Sequence, residues 1–205
     1  MFIEFRRYIL KGDMLPDWVR VMEDKIFPFI KQHDMNVLAS FVCPYDKSQY
    51  LWLRQFENDK ERVKQYKAVY ESEFWGTQII PNADKMLEWE GIKVINIVPD
   101  PVQNLKLLFS PEDFIEFRRI KGKAGKLPEI KNYINGIWQN EMAEKDIIIK
   151  AVFTVMQFPD DYLIMLQYQD PEKQKITATL KHDAIADTYL EIPLLKSAGY
   201  DHYSG

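Results

Sequence analysis

The sequence predicts an α+β fold in which one β-α-β-β-α-β unit is written twice in a single chain. Three observations predict it. The hexapeptide Phe2-Ile3-Glu4-Phe5-Arg6-Arg7 recurs as Phe114-Ile115-Glu116-Phe117-Arg118-Arg119, an offset of 112 residues. The same offset carries Leu15-Pro16 onto Leu127-Pro128, Tyr50-Leu51 onto Tyr162-Leu163, Gln55 onto Gln167 and Pro81 onto Pro193. Each residue type fills roughly one position in twenty, so identity at a constant offset reads as duplication. Within each copy, segments of period two and of period 3.6 follow one another in the same order.

Phe2 to Leu10 alternates and is rich in β-formers, which makes it a strand. Gly12-Asp13 turns the chain. Asp13 is placed to cap a helix with Pro16 in its first turn. Leu15, Trp18, Met22, Ile26 and Phe29 then recur every three or four residues as an amphipathic stripe. Pro28 is expected to kink or end that helix. Val37 to Cys43 and Tyr50 to Phe56 read as a hairpin around Pro44-Tyr45-Asp46-Lys47. Asn58 or Asp59 caps a second helix with Val63, Tyr66, Tyr70 and Phe74 on one side, and Ile92 to Val98 forms the last strand. The order is that of the split-βαβ, ferredoxin-like unit.

The second copy repeats it. Its strand runs from Phe114 to Ile120, its helix is built on Leu127, Ile130, Ile134 and Trp138, and its hairpin uses Ile147 to Phe158 and Tyr162 to Tyr168. Asp170-Pro171 opens its last helix. Gly205 aligns with Lys93, so the constant offset leaves this copy without most of its last strand. The expected organisation is a first repeat over 1–100, a linker over 101–112 and a more divergent second repeat over 113–205.

Composition bounds the function. Hydrophobic residues make up 46% of the chain and charged residues 28%, and the formal net charge is −4 with the signs interspersed. No basic face is written, so nucleic acid is not an expected partner. No apolar run is long enough to span a bilayer. The single cysteine, Cys43, cannot form an internal disulfide and sits in an apolar run, as a buried hydrophobe does. These features fit a cytoplasmic protein, or one from which a leader has been removed. Aromatic residues reach 14%, so cores or pockets should be rich in rings.

Glu4-x-Arg6-x-Tyr8, then Leu10-Lys11-Gly12 and Leu15-Pro16, resembles the opening of the NIPSNAP family. Leu51-Trp52, Asp59, Arg62 and Phe74-Trp75 are similar to that family's third strand and second helix. The resemblance covers most of residues 2–98 and, less closely, 113–193. It implies the dimeric α/β-barrel superfamily, whose ferredoxin-like units face their sheets together and keep their helices outside. A tandem copy implies an intrachain version of that barrel, as a monomeric pseudo-dimer or a homodimer of such chains. The second copy departs where Ile120 stands for Tyr8, Ile164 for Trp52 and Ala186 for Phe74.

Strand alternation groups the candidate site residues. Glu4, Arg6 and Tyr8 share one face of the first strand, and Tyr50, Trp52, Arg54 and Phe56 share one face of the third. Helices need an apolar floor, so Ile3 and Phe5 are assigned to the helix side. Glu4, Arg6, Tyr8, Trp52 and Arg54 are then expected to line the space between the two sheets. A ring-rich lining with a few charges is the make-up of a small-molecule site. Arg6 or Arg54 offers donors to a carboxylate or phenolate, and Tyr8 can exchange a proton. Tyr66 and Tyr70 are candidates for a pocket mouth. Glu116 and Arg118 repeat the Glu4–Arg6 pair, which reads equally as a structural ion pair inside a barrel.

His33 follows the first helix, where the resemblance implies a histidine, and is the best acid–base candidate beside Tyr8. His182, aligned with Tyr70, is a second. The histidines lack partners at metal-ligand spacing, so no metal site and no cofactor are expected. Neither a phosphate loop nor a dinucleotide fingerprint is present.

The expected function is binding of a small hydrophobic or aromatic, acidic molecule, with cofactor-independent oxygenase or isomerase chemistry as its enzymatic form. A non-enzymatic scaffold is the alternative. Heme binding and degradation, implied elsewhere in the superfamily, would need a helix histidine that Asp59 to Glu73 lacks.

Overall fold

The computed structural model describes residues 1–101, 105, 107–178, 186–191 and 195–197. The chain forms two compact units, the first mainly Met1–Asn96 and the second mainly Phe109–Lys196.

In the first unit, β1 (Phe2–Ile9) pairs antiparallel with β3 (Gln49–Phe56), and β2 (Asn36–Val42) pairs with the other edge of β3. With β4 (Lys93–Pro99) the strand order is β4-β1-β3-β2, that of a ferredoxin-like unit. Glu4 lies opposite Arg54, Arg6 opposite Trp52 and Tyr8 opposite Tyr50. This register collects the alternating polar and aromatic residues of two strands on one face.

The first helical segment is α1 (Leu15–Val21), a π-helical turn Met22–Ile26 and α2 (Phe27–Lys31). Pro28 does not end it. Proline lacks an N–H and crowds the preceding turn, and the wider π turn just before it accommodates both defects. The second segment behaves alike: α3 (Asp59–Tyr70) is followed by a π turn Trp75–Ile79, and α4 (Ile80–Met86) carries Pro81. Asn58, not Asp59, caps α3, its side chain accepting from the Glu61 N–H at 3.0 Å. Asp13 does not cap α1. The N-cap is Met14 with no side-chain bond, after a turn that holds Gly12 at φ +49°. Val63, expected on the inner stripe, is exposed.

One expectation is reversed. Glu4, Arg6, Tyr8, Trp52 and Arg54 face the helices of their own unit. Tyr8 meets Trp18 of α1 and Trp52 meets Phe27 of α2, at ring separations of 5.8 and 5.7 Å. Glu4 and Arg54 bond the tyrosines of α3. The helices do not require an aliphatic floor, because Trp52 and Tyr8 supply apolar area and Glu4 accepts from both arginines. Ile3, Phe5, Ala39, Phe41, Leu51 and Leu53 share the opposite face and are buried.

In the second unit, β5 (Phe114–Gly122) pairs antiparallel with β7 (Phe158–Tyr168), and β6 (Ile148–Val155) flanks β7. A last strand is present, contrary to the constant-offset expectation. β8 (Ala186–Glu191) pairs antiparallel with β5, which completes the order β8-β5-β7-β6. The repeat offset fails because the chain between α7 (Lys173–Ala178) and β8 is shorter than that between the matching helix α3 and β4, which also holds α4. Seven residues separate α7 from Ala186, against twenty-two between Tyr70 and Lys93. Ala186 therefore begins a strand and is no counterpart of Phe74. Pro193 lies outside the described residues.

The helical layer of this unit, α5 (Leu127–Tyr133), a π turn Ile134–Trp138 and α6 (Gln139–Ala143), packs onto β5 and β7. Ile120, Ile130, Ile134, Trp138, Tyr162, Ile164 and Leu166 form one buried core. At the repeat offset these are the positions of Tyr8, Trp18, Met22, Ile26, Tyr50, Trp52 and Arg54. The same shell of positions is ring-rich and carries Arg54 in one unit, and in the other is mostly aliphatic, with Trp138 and Tyr162 as its rings.

Candidate functional site

The first unit encloses a cavity of about 350 Å³ between its sheet and its helices. The strands contribute Arg6, Tyr8 and Trp52, and the first helical segment contributes Trp18, Met22 and Ile26. Tyr70, Trp75, Gly76, Ile79, Ile80 and Ala83 form the facing wall, and Leu87, Trp89 and Ile92 complete it. Both π turns supply wall residues, and π turns recur at functional sites. Four of the five tryptophans, Trp18, Trp52, Trp75 and Trp89, line this one cavity. Trp89 is half exposed and donates its indole N–H to Asp84 at 2.9 Å.

Behind the cavity floor lies a dense charge network. Glu4 Oε2 accepts from Arg54 Nε at 2.8 Å and from Arg6 Nη1 at 3.0 Å. Glu4 Oε1 accepts from the Tyr66 hydroxyl and, at 3.5 Å, from Arg62. Arg54 is fully buried and has no free donor group: Nη1 reaches Tyr70 Oη at 2.7 Å and Met35 Sδ at 3.6 Å, and Nη2 bonds the Tyr66 hydroxyl oxygen. Its guanidinium also stacks on Trp52 at 5.0 Å and on Tyr66 at 4.6 Å, geometry in which a ring face attracts a cation.

Arg6 differs. It gives Nε to Tyr8 Oη and Nη1 to Glu4, both at 3.0 Å, and lies over Trp52 at 5.5 Å. Its Nη2 has no partner among the described residues, and it is the one charged side chain in the described cavity wall. The indole N–H groups of Trp18 and Trp52, both in that wall, are buried and also without partners. Buried donors are normally satisfied; of these three, Arg6 Nη2 belongs to the charged wall residue and describes a place for an acceptor.

The protonation states follow from this packing. Burial pushes the Glu4 carboxyl up, but Arg54 and Arg6, with the bonds from Tyr66 and Arg54, hold it below its ordinary range. Burial works against the charge of Arg6, yet the Tyr8, Tyr70 and Glu4 oxygens outweigh it and keep the guanidinium ionised. Tyr66 is driven up by burial and by Glu4, against the pull of Arg54, so its hydroxyl keeps its proton.

The structure brings together most of the residues singled out by sequence and separates the rest. Arg6, Tyr8, Trp52 and Tyr70 line the cavity, while Glu4, Arg54 and Tyr66 stand behind it. His33 is not a wall residue: it follows α2, its ring 4.8 Å from Phe29. Glu116 and Arg118 are fully buried and pair with each other, and Tyr168 donates to Glu116 at 2.9 Å. They sit in the unit whose matching shell is filled by the aliphatic core. His182 lies outside the described residues. Trp18, Met22, Trp75 and Trp89 escaped sequence reasoning, because a helical stripe of rings reads as core. The signal that was there to use is the density of tryptophan.

Other features carry less. A wider, more open depression of about 980 Å³ on the second unit is lined by groups that already pair, such as Gln167 with Asp113 at 2.7 Å and Lys173 with Asp146 at 3.1 Å. Cys43 is buried, and burial pushes its thiol up. Among the described residues, no cluster of three or more His, Cys, Asp or Glu is placed to hold a metal ion, and no helix is long and apolar enough to cross a membrane.

No family model matches the sequence, and no curated protein matches it. Solved structures do. A candidate monooxygenase from Fusobacterium nucleatum, 13% identical, matches with a TM-score of 0.64 over 96% of this chain and 92% of its own. A candidate monooxygenase from Lactobacillus acidophilus, 11% identical, matches with a TM-score of 0.63 over 96% of this chain and 93% of its own. An uncharacterized NIPSNAP domain protein from Burkholderia xenovorans, 14% identical, matches with a TM-score of 0.42 over 54% of this chain and 99% of its own. These two whole-length matches show that the chain shares their fold, carried here as two ferredoxin-like units on one polypeptide.

Proposed function

We propose that the first unit binds a small hydrophobic or aromatic molecule bearing an acidic group, with its ring or chain among the tryptophans and its acidic group at Arg6. One observation carries this reading. Arg6 is a partly buried cation with an unused donor in a cavity otherwise walled by rings and aliphatic side chains. Such a site has the size, apolar lining and few placed polar groups of a ligand pocket, and the planar guanidinium suits a carboxylate or phenolate oxygen.

Native mass spectrometry of the purified protein tests it. A retained small acid in the wild type, lost in Arg6→Ala, is the expected result. A wild-type protein that carries no ligand and binds none from a panel of aromatic acids would overturn the reading.

A second reading extends the first. Two whole-length structural neighbours are candidate monooxygenases, and an anion held beside Tyr8 is an electron-rich target for dioxygen. Oxidation of a ring methylene to a carbonyl would consume one dioxygen and release one water, with Tyr8 exchanging the substrate proton. An oxygen electrode with phenolic and enolic aromatic substrates decides it, and uptake unchanged in Tyr8→Phe would remove Tyr8 from the chemistry.

A further inference from the structure

We infer that Glu4 sets the charge of the ligand, so that the cavity selects molecules with one negative charge over neutral and doubly charged analogues. The inference rests on the binding reading above and adds charge selection to it.

It follows from a count of charges. Two guanidiniums, the fully buried Arg54 and the partly buried Arg6, converge on the single carboxylate oxygen Glu4 Oε2 at 2.8 and 3.0 Å. Arg62 touches the other oxygen at 3.5 Å but pairs at 2.6 Å with Asp59. Tyr66, whose hydroxyl keeps its proton, adds no charge. Three cations face two anions, so one positive charge is left over. It resides at the cavity, because every donor group of Arg54 is engaged, whereas Arg6 keeps Nη2 open.

An uncompensated charge away from water is costly, and an opposite charge with good hydrogen bonds offsets that cost. A monoanion supplies what is missing: its negative oxygen can accept from Arg6 Nη2. A neutral amide of the same shape accepts hydrogen bonds but leaves the positive charge standing. A dianion brings a second negative charge among rings, with no cation to meet it. Glu4 is not itself a wall residue; it meets the wall through Arg6 Nη1 at 3.0 Å and acts by consuming one of the two adjacent positive charges.

Three probes of one shape test this by isothermal titration calorimetry: naphthoate, naphthamide and a naphthalene dicarboxylate. The wild type should bind naphthoate about tenfold or more tightly than either of the others, the scale of one hydrogen bond to a charged partner. Glu4→Gln should move the preference to the dicarboxylate. Arg6→Gln, which balances the network, should make naphthamide at least equal to naphthoate. If none of the three binds the wild type, the binding reading fails and takes this inference with it. If naphthoate and naphthamide bind the wild type within about twofold, the cavity binds ligands but Glu4 does not set their charge. Should Glu4→Gln fail to fold, the wild-type and Arg6→Gln series still decide the matter.

Discussion

Arg54 offers the strictest test of the network behind the cavity. Replacing it with Met keeps an unbranched apolar stem but removes the charge that meets Glu4 at 2.8 Å and the donors to Tyr66 and Tyr70. Breaking one side of a fully buried ion pair costs about 3–5 kcal/mol. The lower end applies, about 3 kcal/mol, because Arg6 still meets Glu4 at 3.0 Å. Glu4→Gln leaves both guanidiniums without their carboxylate and should cost more, about 4–5 kcal/mol. In the double variant only Arg6 remains charged within the buried core of the network. Its cost should fall short of the sum of the singles by about 2 kcal/mol, as coupled neighbours do. Urea unfolding followed by tryptophan fluorescence is the assay, since four of the five tryptophans surround this site. Costs that add within about 0.5 kcal/mol would refute the idea that these groups act as one network.

Other perturbations test the remaining supports. The Glu4 carboxyl is held below its ordinary value of 4.5 in the folded chain, so its contribution is fully present above that value and is lost as the pH falls through the folded one. The stability gap between wild type and Glu4→Gln should therefore shrink on acidification from neutral pH, as measured by urea midpoints. Asn58→Ala removes the cap of α3 and should cost about 1 kcal/mol, with faster amide exchange at Glu61. A methyl group at Gly122 would sit 2.6 Å from Ile130 Cδ1 and closer still to the Asp160 carbonyl oxygen. Gly122→Ala should lower the unfolding free energy by about 1–3 kcal/mol, whereas Gly136→Ala, which meets nothing within 4 Å, should be neutral or stabilising in the same titration.

Much of this was legible in the residues. The repeated hexapeptide announces two like units, and period-two alternation groups Glu4, Arg6 and Tyr8 with Trp52 and Arg54 before any coordinates are known. The repeat also shows that the two sites differ, since Ile120, Ile164 and Leu166 stand for Tyr8, Trp52 and Arg54 while Glu116 and Arg118 keep the Glu4–Arg6 pair. The side of the sheet was not legible. Alternation says which residues share a face and is silent on what covers it, and the rule that helices seek the aliphatic face points the wrong way here. The true last strand was hidden because offset alignment holds only while the loops keep their length.

Sequence alone determined the local order of strands and helices, the duplication and the membership of each strand face, because those depend on near neighbours and on a backbone period. Tertiary structure decided where Arg6 faces, which of its donors stay open and that four tryptophans far apart in sequence meet around it. It also decided that His33 stands aside. Those facts arise from pairing across tens of residues, where register, the π turns before Pro28 and Pro81 and the length of the segment after Tyr70 together place each side chain.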